Sequence, residues 1–360
     1  MTVARMTTLR LYERRLSQNA GFAILAVIAI GGLFYVKWLP YYHKALVASV
    51  SHSIGRSILM TTAAQAPPPS WKAALDYSLA YGKAIWQAMV LGLLLGAAVQ
   101  EFASMAWISR VLGRSSWRSV VIGGLLAIPG MMCTCCAAPV VVGLRRRNVS
   151  AAAATAFWLG NTTLNPATLV FMGFVLGWKW TGLRLALGIV LVFGTGYFIS
   201  RWTLPGETEA LDPQLNQTLS EHRSAIPSIK SWLGRFAGLA LRLIPEYLVL
   251  VLILGAARAW IFPQAGPAIG NHLQWIVLMS AAGLLFVIPT AGEVPIVQAM
   301  LALGVGVGPA AALIVTLPPI SLPSLAMTGR VLPIRVLGLV AMAVLIMGIV
   351  AGILAVLLGF

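Results

Sequence analysis

The sequence predicts an all-α, polytopic membrane protein: an N-terminal anchor helix followed by two inverted repeats, each with three crossings and one re-entrant broken helix. Three observations carry this prediction. Of 360 residues, 59% are hydrophobic and only 9% are charged, whereas a soluble globule carries about a quarter charged residues. The mean hydropathy is +0.89, and apolar runs long enough to cross a bilayer recur along the chain. Finally, two sets of four apolar segments match in the same order, with Gly and Pro interruptions at corresponding places.

The first segment carries Arg5, Arg10, Arg14 and Arg15 ahead of an apolar run at 20–39. The run is long and no small-residue cleavage site follows it, so it reads as an uncleaved anchor with a cytoplasmic N-terminus. Residues 1–71 form this anchor and an external segment, which ends in the loop Ala66-Pro67-Pro68-Pro69-Ser70. Repeat A occupies 72–200, with apolar segments at 75–102, 119–144, 150–177 and 181–200. A polar cytoplasmic linker at 201–234 holds Glu207, Glu209, Asp212 and Glu221. Repeat B occupies 235–360, with segments at 236–262, 272–303, 308–329 and 334–358.

The repeats align on particular residues. Leu93-Leu94-Leu95-Gly96-Ala97-Ala98 matches Leu252-Ile253-Leu254-Gly255-Ala256-Ala257, and Pro129 and Pro139 match Pro289 and Pro295. The interruption Asn161-Thr162-Thr163-Leu164-Asn165-Pro166 lines up with Pro318-Pro319-Ile320-Ser321-Leu322-Pro323. Charge sets their orientation. If every segment crossed the membrane, loop cations would divide evenly between the two sides, against the excess of cations in cytoplasmic loops. If 119–144 and 272–303 dip in and return, the cytoplasm holds Arg110, Arg114, Arg118, Arg145, Arg146, Arg147, the 201–235 loop, Arg330 and Arg335. Only Lys37, Lys44, Arg56, Lys72 and Lys179 then remain outside. Each arm of such a hairpin is about 15 Å of helix, enough to reach the bilayer midplane.

The net charge of +16, from 25 Lys and Arg against 9 Asp and Glu, follows from these loops. No basic stretch is interleaved with exposed aromatics, so the partner is the lipid bilayer and not nucleic acid.

All three cysteines sit in the first bend, Pro129-Gly130-Met131-Met132-Cys133-Thr134-Cys135-Cys136. No cysteine exists elsewhere to pair with them, so they are expected as free thiols or soft ligands. Thiolates select soft metals and metalloids over Mg²⁺ or Ca²⁺, and a half-helix end favours the thiolate. The spacing matches no zinc or thioredoxin pattern, and the histidines (His43, His52, His222, His272) lie away from the bend. Packing as small apolar residues is the plainer alternative for the cysteines.

The second bend, Pro289-Thr290-Ala291-Gly292-Glu293-Val294-Pro295, has a carboxylate instead. Glu293 is a candidate proton carrier with Thr290 beside it, or else a cap on the following half-helix. Asn161, Thr162, Thr163 and Asn165 either line a cavity with the cysteines or satisfy carbonyls freed by their own break. Glu246 is expected to pair with Arg242, one turn earlier, and Glu101 and Asp76 to be solvated at span ends. No phosphate-binding loop and no cofactor motif appears.

The stretch from Pro129 to Arg147, the Ala-rich run Ala151 to Phe157 and the break before Pro166 resemble the ArsP-like (YraQ-type) group of predicted permeases. The resemblance covers roughly 75–360; Cys136 is additional to that group's Cys-Ser-Cys bend. It implies a bacterial inner-membrane permease that exports a thiol-reactive species such as a trivalent organoarsenical. Cys133, Cys135 and Cys136 would then bind a soft metalloid or metal, and Glu293 would couple a proton. The alternatives are a carrier for a soft metal ion or small sulfur compound, a membrane thiol oxidoreductase using Cys133 and Cys136, and a scaffold with inert cysteines.

Overall fold

A computed structural model describes Gly21 and residues 23–55, 68, 70–103, 105–202, 228–261 and 266–360. The N-terminal arginines, Arg56 and the linker's Glu207, Glu209, Asp212, Glu221, His222 and Arg223 lie outside the described residues. Among the described residues every regular element is helical.

The chain opens with α1, Ala23–Ser51, which widens into a π turn at Phe34–Trp38. Ser70 caps α2, Trp71–Phe102, by accepting from the amide of Ala73 at 3.1 Å. A short helix α3, Met105–Val111, leads to α4, Trp117–Ala127. There Pro129 removes an amide donor and the chain tightens into a single turn at Ile128–Gly130 before α5, Thr134–Arg145. The next helix is also split, into α6, Ala151–Thr163, and α7, Pro166–Val175; Asn165 caps α7 through the amides of Ala167 and Thr168. α8, Trp178–Trp202, with a π turn at Val190–Gly194, completes the first set.

The second set has the same order. It comprises the long α9, Ile229–Ile261, then the split pair α10, Leu273–Leu285, and α11, Glu293–Ala302. A second split pair follows, α12, Val307–Thr316, and α13, Leu322–Gly329, and then α14, Ile334–Leu357. Among the described residues five helices are long and apolar enough to cross a membrane, which makes this a multi-pass membrane protein. The two bends share a backbone detail: Met131 (φ 47°) and Ala291 (φ 65°), each two residues past its proline, adopt the left-handed conformation that side chains other than Gly, Asn and Asp rarely adopt.

Three hydrogen bonds tie the ends of the split pairs together. Arg146 Nη1 donates to Gln100 Oε1 at 3.0 Å and the amide of Ser150 to Leu112 O at 2.9 Å. These bonds bring residues 112 and 150 together near the end of α2. The amide of Gly306 likewise donates to Ile269 O at 2.8 Å, closing the α10–α11 segment on itself. The start of α9 sits at the α2 end, since Arg235 Nε and Ser231 Oγ both donate to Glu101. From there α9 runs for 33 residues, about 50 Å.

Two sequence expectations need correction here. Glu101 is buried, with Ser228, Ser231 and Arg235 as donors, because the start of α9 folds over the end of α2; Asp76 is exposed as expected. Glu246 pairs with Arg330 at 2.6 Å and not with Arg242, because α9 turns that residue toward the end of α13.

α2 and α5 cross at glycines. A Cβ on Gly92 would lie 2.1 Å from Cys136 O, and one on Gly96 2.3 Å from Pro139 O. Both neighbours are backbone, which cannot rotate away. Gly92→Ala is therefore expected to lower stability by about 1–3 kcal/mol through overpacking, read as a drop in thermal midpoint of the purified protein in detergent; an unchanged midpoint would mean that the two helices can separate freely.

Candidate functional site

Helix periodicity sorts the three thiols. Cys133 is the extended residue that caps α5 and Cys136 stands three positions later on the same face. Their sulfurs are 2.7 Å apart, within hydrogen-bonding reach, and all three cysteines are free and buried. Cys135 faces elsewhere. Its sulfur lies 3.8 Å from Ser321 Oγ at the α12–α13 break and accepts from Tyr81 at 3.9 Å. No group of three His, Cys, Asp or Glu side chains converges among the described residues. Of the three cysteines expected to act together, Cys133 and Cys136 are paired, and Cys135 is turned toward Tyr81 and Ser321 because position 135 is off the 133/136 face.

The four breaks meet. One recess, with about 220 Å³ of empty space including its mouth, is lined by Cys133 and Thr134 from the first break, and Thr162 and Thr168 from the second. Thr290 and Glu293 line it from the third, and Pro318 from the fourth. A further bond, Thr134 Oγ1 to Ser321 Oγ at 3.2 Å, joins the first break to the fourth. Three helices, α5, α7 and α11, begin at this recess, and helix N-termini present unpaired amides and partial positive charge.

Of the predicted polar residues, Thr162 lines the recess while its hydroxyl bonds back to Leu159 O at 3.1 Å. Asn161 donates to Phe157 O and packs its Oδ1 where a Cβ on Gly130 would stand. Asn165 is the cap of α7. Asn161 Oδ1, Thr163 Oγ1 and Asn165 Nδ2 are buried without a protein partner. Asn161 thus bonds within its own helix and Asn165 caps the next one, and of the four Thr162 alone lines the recess.

Glu293 is buried and ion-paired. Its Oε1 accepts from Arg184 Nη1, and Arg184 Nη2 donates to Thr162 O at 2.9 Å. Arg184, on α8, is 1% exposed and was absent from the sequence reading. So was the role of Lys37, expected outside the membrane. It is buried in the π turn of α1, donating to Tyr41 OH at 3.1 Å and to Thr290 Oγ1 at 3.4 Å. Its neighbour Trp38 donates to Pro129 O at 2.9 Å. The signal for both was an ionisable residue inside an apolar run, which marks function by default.

Removing one member of a buried pair leaves an uncompensated charge, whereas removing both can be nearly neutral. Arg184→Met is expected to destabilise by about 3–5 kcal/mol, and Arg184→Met with Glu293→Gln to recover most of that loss. Chemical denaturation in mild detergent checks it; equal losses in the single and double variants would show that the pair's charge is not what matters.

The comparisons with known proteins agree with this architecture. A family model described as "Predicted permease", ArsP_1, matches residues 70–357. The chain is 47% identical over 335 residues to the UPF0718 protein YraQ of Escherichia coli (strain K12), covering 93% of this chain and 94% of that one. It is 24% identical to the UPF0718 protein MJ0584 of Methanocaldococcus jannaschii, covering 74% of this chain and 91% of that one. No solved structure matches. With its broken helices paired around one recess and a family model spanning most of its length, the chain belongs to the ArsP_1 family of predicted permeases.

Proposed function

We propose that the protein is a secondary permease that exports a soft, thiol-reactive species, such as a trivalent organoarsenical, across the bacterial inner membrane. The observation that carries this reading is the Cys133–Cys136 pair, two sulfurs 2.7 Å apart at the edge of a recess lined by all four helix breaks. Soft electrophiles exchange between adjacent thiols, so such a pair holds one and passes it on without trapping it. Interrupted helices meeting at one place are the arrangement by which inverted-repeat transporters build a binding site.

The two hairpins are re-entrant in this reading, one opening to the cytoplasm and the other to the outside. Support comes from the bonds that close 112–150 and 269–306. The grouping of Arg146, Arg147, Arg235 and Arg330 around the end of α2 and its neighbours supports a cytoplasmic assignment for that end. Glu293 remains the proton-coupling candidate, acting through its pair: a proton on Glu293 frees Arg184, which also holds the Thr162 carbonyl.

Growth of cells carrying the protein on methylarsenite, cadmium or copper tests the thiols. Cys133→Ser and Cys136→Ser are each expected to cost at least the roughly tenfold in tolerance that a supporting residue of a soft-ligand site is worth, and Cys135→Ser to cost less. Wild-type tolerance in all three variants would remove the thiols from the function. In a background lacking the native cysteines, Asn148→Cys should react with an impermeant maleimide only from the cytoplasm and Ala268→Cys only from outside; reaction of both from one side would rule out opposed hairpins. The close sulfur pair also favours a thiol oxidoreductase as the second reading, and a reductant-dependent change in alkylation during turnover would select it.

A further inference from the structure

The anchor helix contributes more than membrane attachment. Lys37 lies midway along α1, fourteen residues from either end of Ala23–Ser51, about 21 Å of helix on each side. Its side chain is almost entirely buried, and among the described residues no carboxylate lies within ion-pairing distance of it. Its ammonium bonds to two hydroxyls, of which Thr290 lines the recess together with Cys133. It is close enough to both Cys133 and Cys136 to interact with them electrostatically. A buried cation without a counter-charge is costly and calls for an anion nearby. The Glu293 carboxylate is already taken by Arg184.

We propose that Lys37 is a functional residue of the permeation site, the fixed counter-charge for a thiolate shared by Cys133 and Cys136, which makes that pair nucleophilic toward a soft electrophile. This deepens the permease reading and rests on it for the identity of the cargo, though not for the ionic pairing itself. The π turn is what delivers the charge: the extra residue in that turn re-aims the side chains around it, and such bulges gather at functional sites. Trp38, in the same turn, fixes the helix to the first break through Pro129 O.

The chemistry balances. For a dialkylated trivalent arsenical bearing one hydroxyl, the thiolate attacks arsenic, a sulfur–arsenic bond forms and the arsenic–oxygen bond breaks. The departing hydroxide takes the proton of the second thiol and leaves as water, so that second sulfur is now the thiolate. Attack by this thiolate then moves the arsenic from one sulfur to the other. One negative charge remains on the pair at every stage, opposite Lys37, and no oxidant or reductant is consumed.

The other ionisable groups facing the pair are Cys135, Tyr81 from α2 and Tyr247 from α9, with Arg184 and Glu293 across the recess. A Cys135→Ser background isolates the pair. The purified full-length protein is treated with N-ethylmaleimide across a pH series, and the incorporated label is measured by mass. Lys37→Met is expected to slow labelling about tenfold at neutral pH and to move its pH profile to higher values, whereas Lys37→Arg keeps the parent profile. Labelling of Lys37→Met at the parent rate and pH profile would overturn the proposal. So would an equal loss in Lys37→Met and Lys37→Arg with both proteins eluting as folded monodisperse species, because it would assign Lys37 to packing. If Lys37→Met does not fold, the parent profile must still persist in Lys37→Arg, and a changed profile there overturns it. The permease reading fails separately: labelling would depend on Lys37 while tolerance to methylarsenite ignored both Lys37 and the cysteines.

Discussion

A helix broken inside hydrocarbon leaves backbone amides and carbonyls with no intrahelical partner and no water to replace it, at several kcal/mol for each group. Among the described residues four helices are broken, and three of these breaks are served by side chains brought from elsewhere in the chain. Trp38 of α1 donates to Pro129 O and Trp158 of α6 to Thr134 O at the first. Arg184 of α8 donates to Thr162 O at the second. Tyr77 and Tyr81 of α2 donate to Val287 O and Ile288 O at the third. At the fourth, Ser324 Oγ accepts from the amide of Ser321 while Ser321 reaches across to Thr134. Three of the breaks are thus held by long-range bonds, which come from α1, α2, α6 and α8.

The same requirement creates the site. Groups recruited to satisfy backbone in an apolar interior are indole, phenol, hydroxyl, amide and guanidinium groups, and where four breaks meet they gather around one recess. That is why the predicted polar residues divide as they do. Asn165 and Asn161 are consumed by local backbone, and Thr162 and Thr290 are left at the edge of the recess. Among the buried side-chain atoms without a protein partner, three belong to the second break: Asn161 Oδ1, Thr163 Oγ1 and Asn165 Nδ2.

The segment list and the interruptions were readable in the sequence because they are one-dimensional facts: apolar run lengths, prolines, and a repeat of both. The expected segment 119–144 became α4 and α5 hinged at Pro129, and 272–303 became α10 and α11 hinged near Pro289. Side-chain pairing was not readable in this way. Arg184 meets Glu293 across 109 positions and Lys37 meets Thr290 across 253, and nothing in local periodicity signals either. The division of the cysteines was accessible in principle. Placing the start of α5 at Thr134 puts 133 and 136 on one face and 135 on another, but a span drawn straight through the bend hides that register.

The lining of the recess bears on which ligand the proposed permease would take, a soft, exchangeable species over a hard divalent cation. The recess carries the positive ends of three helices, and the ion pair beside it contributes no net charge. Its remaining fixed charge nearby is Lys37. On the permease reading, a hard cation would find a single carboxylate, already bonded to arginine, where oxygen-rich coordination is needed. A neutral electrophile meets no such barrier, and it finds two sulfurs close enough to exchange it. On this reading the lack of oxygen ligands disfavours the hard ion and the thiol pair retains the soft one, and both effects would arise from the same recess.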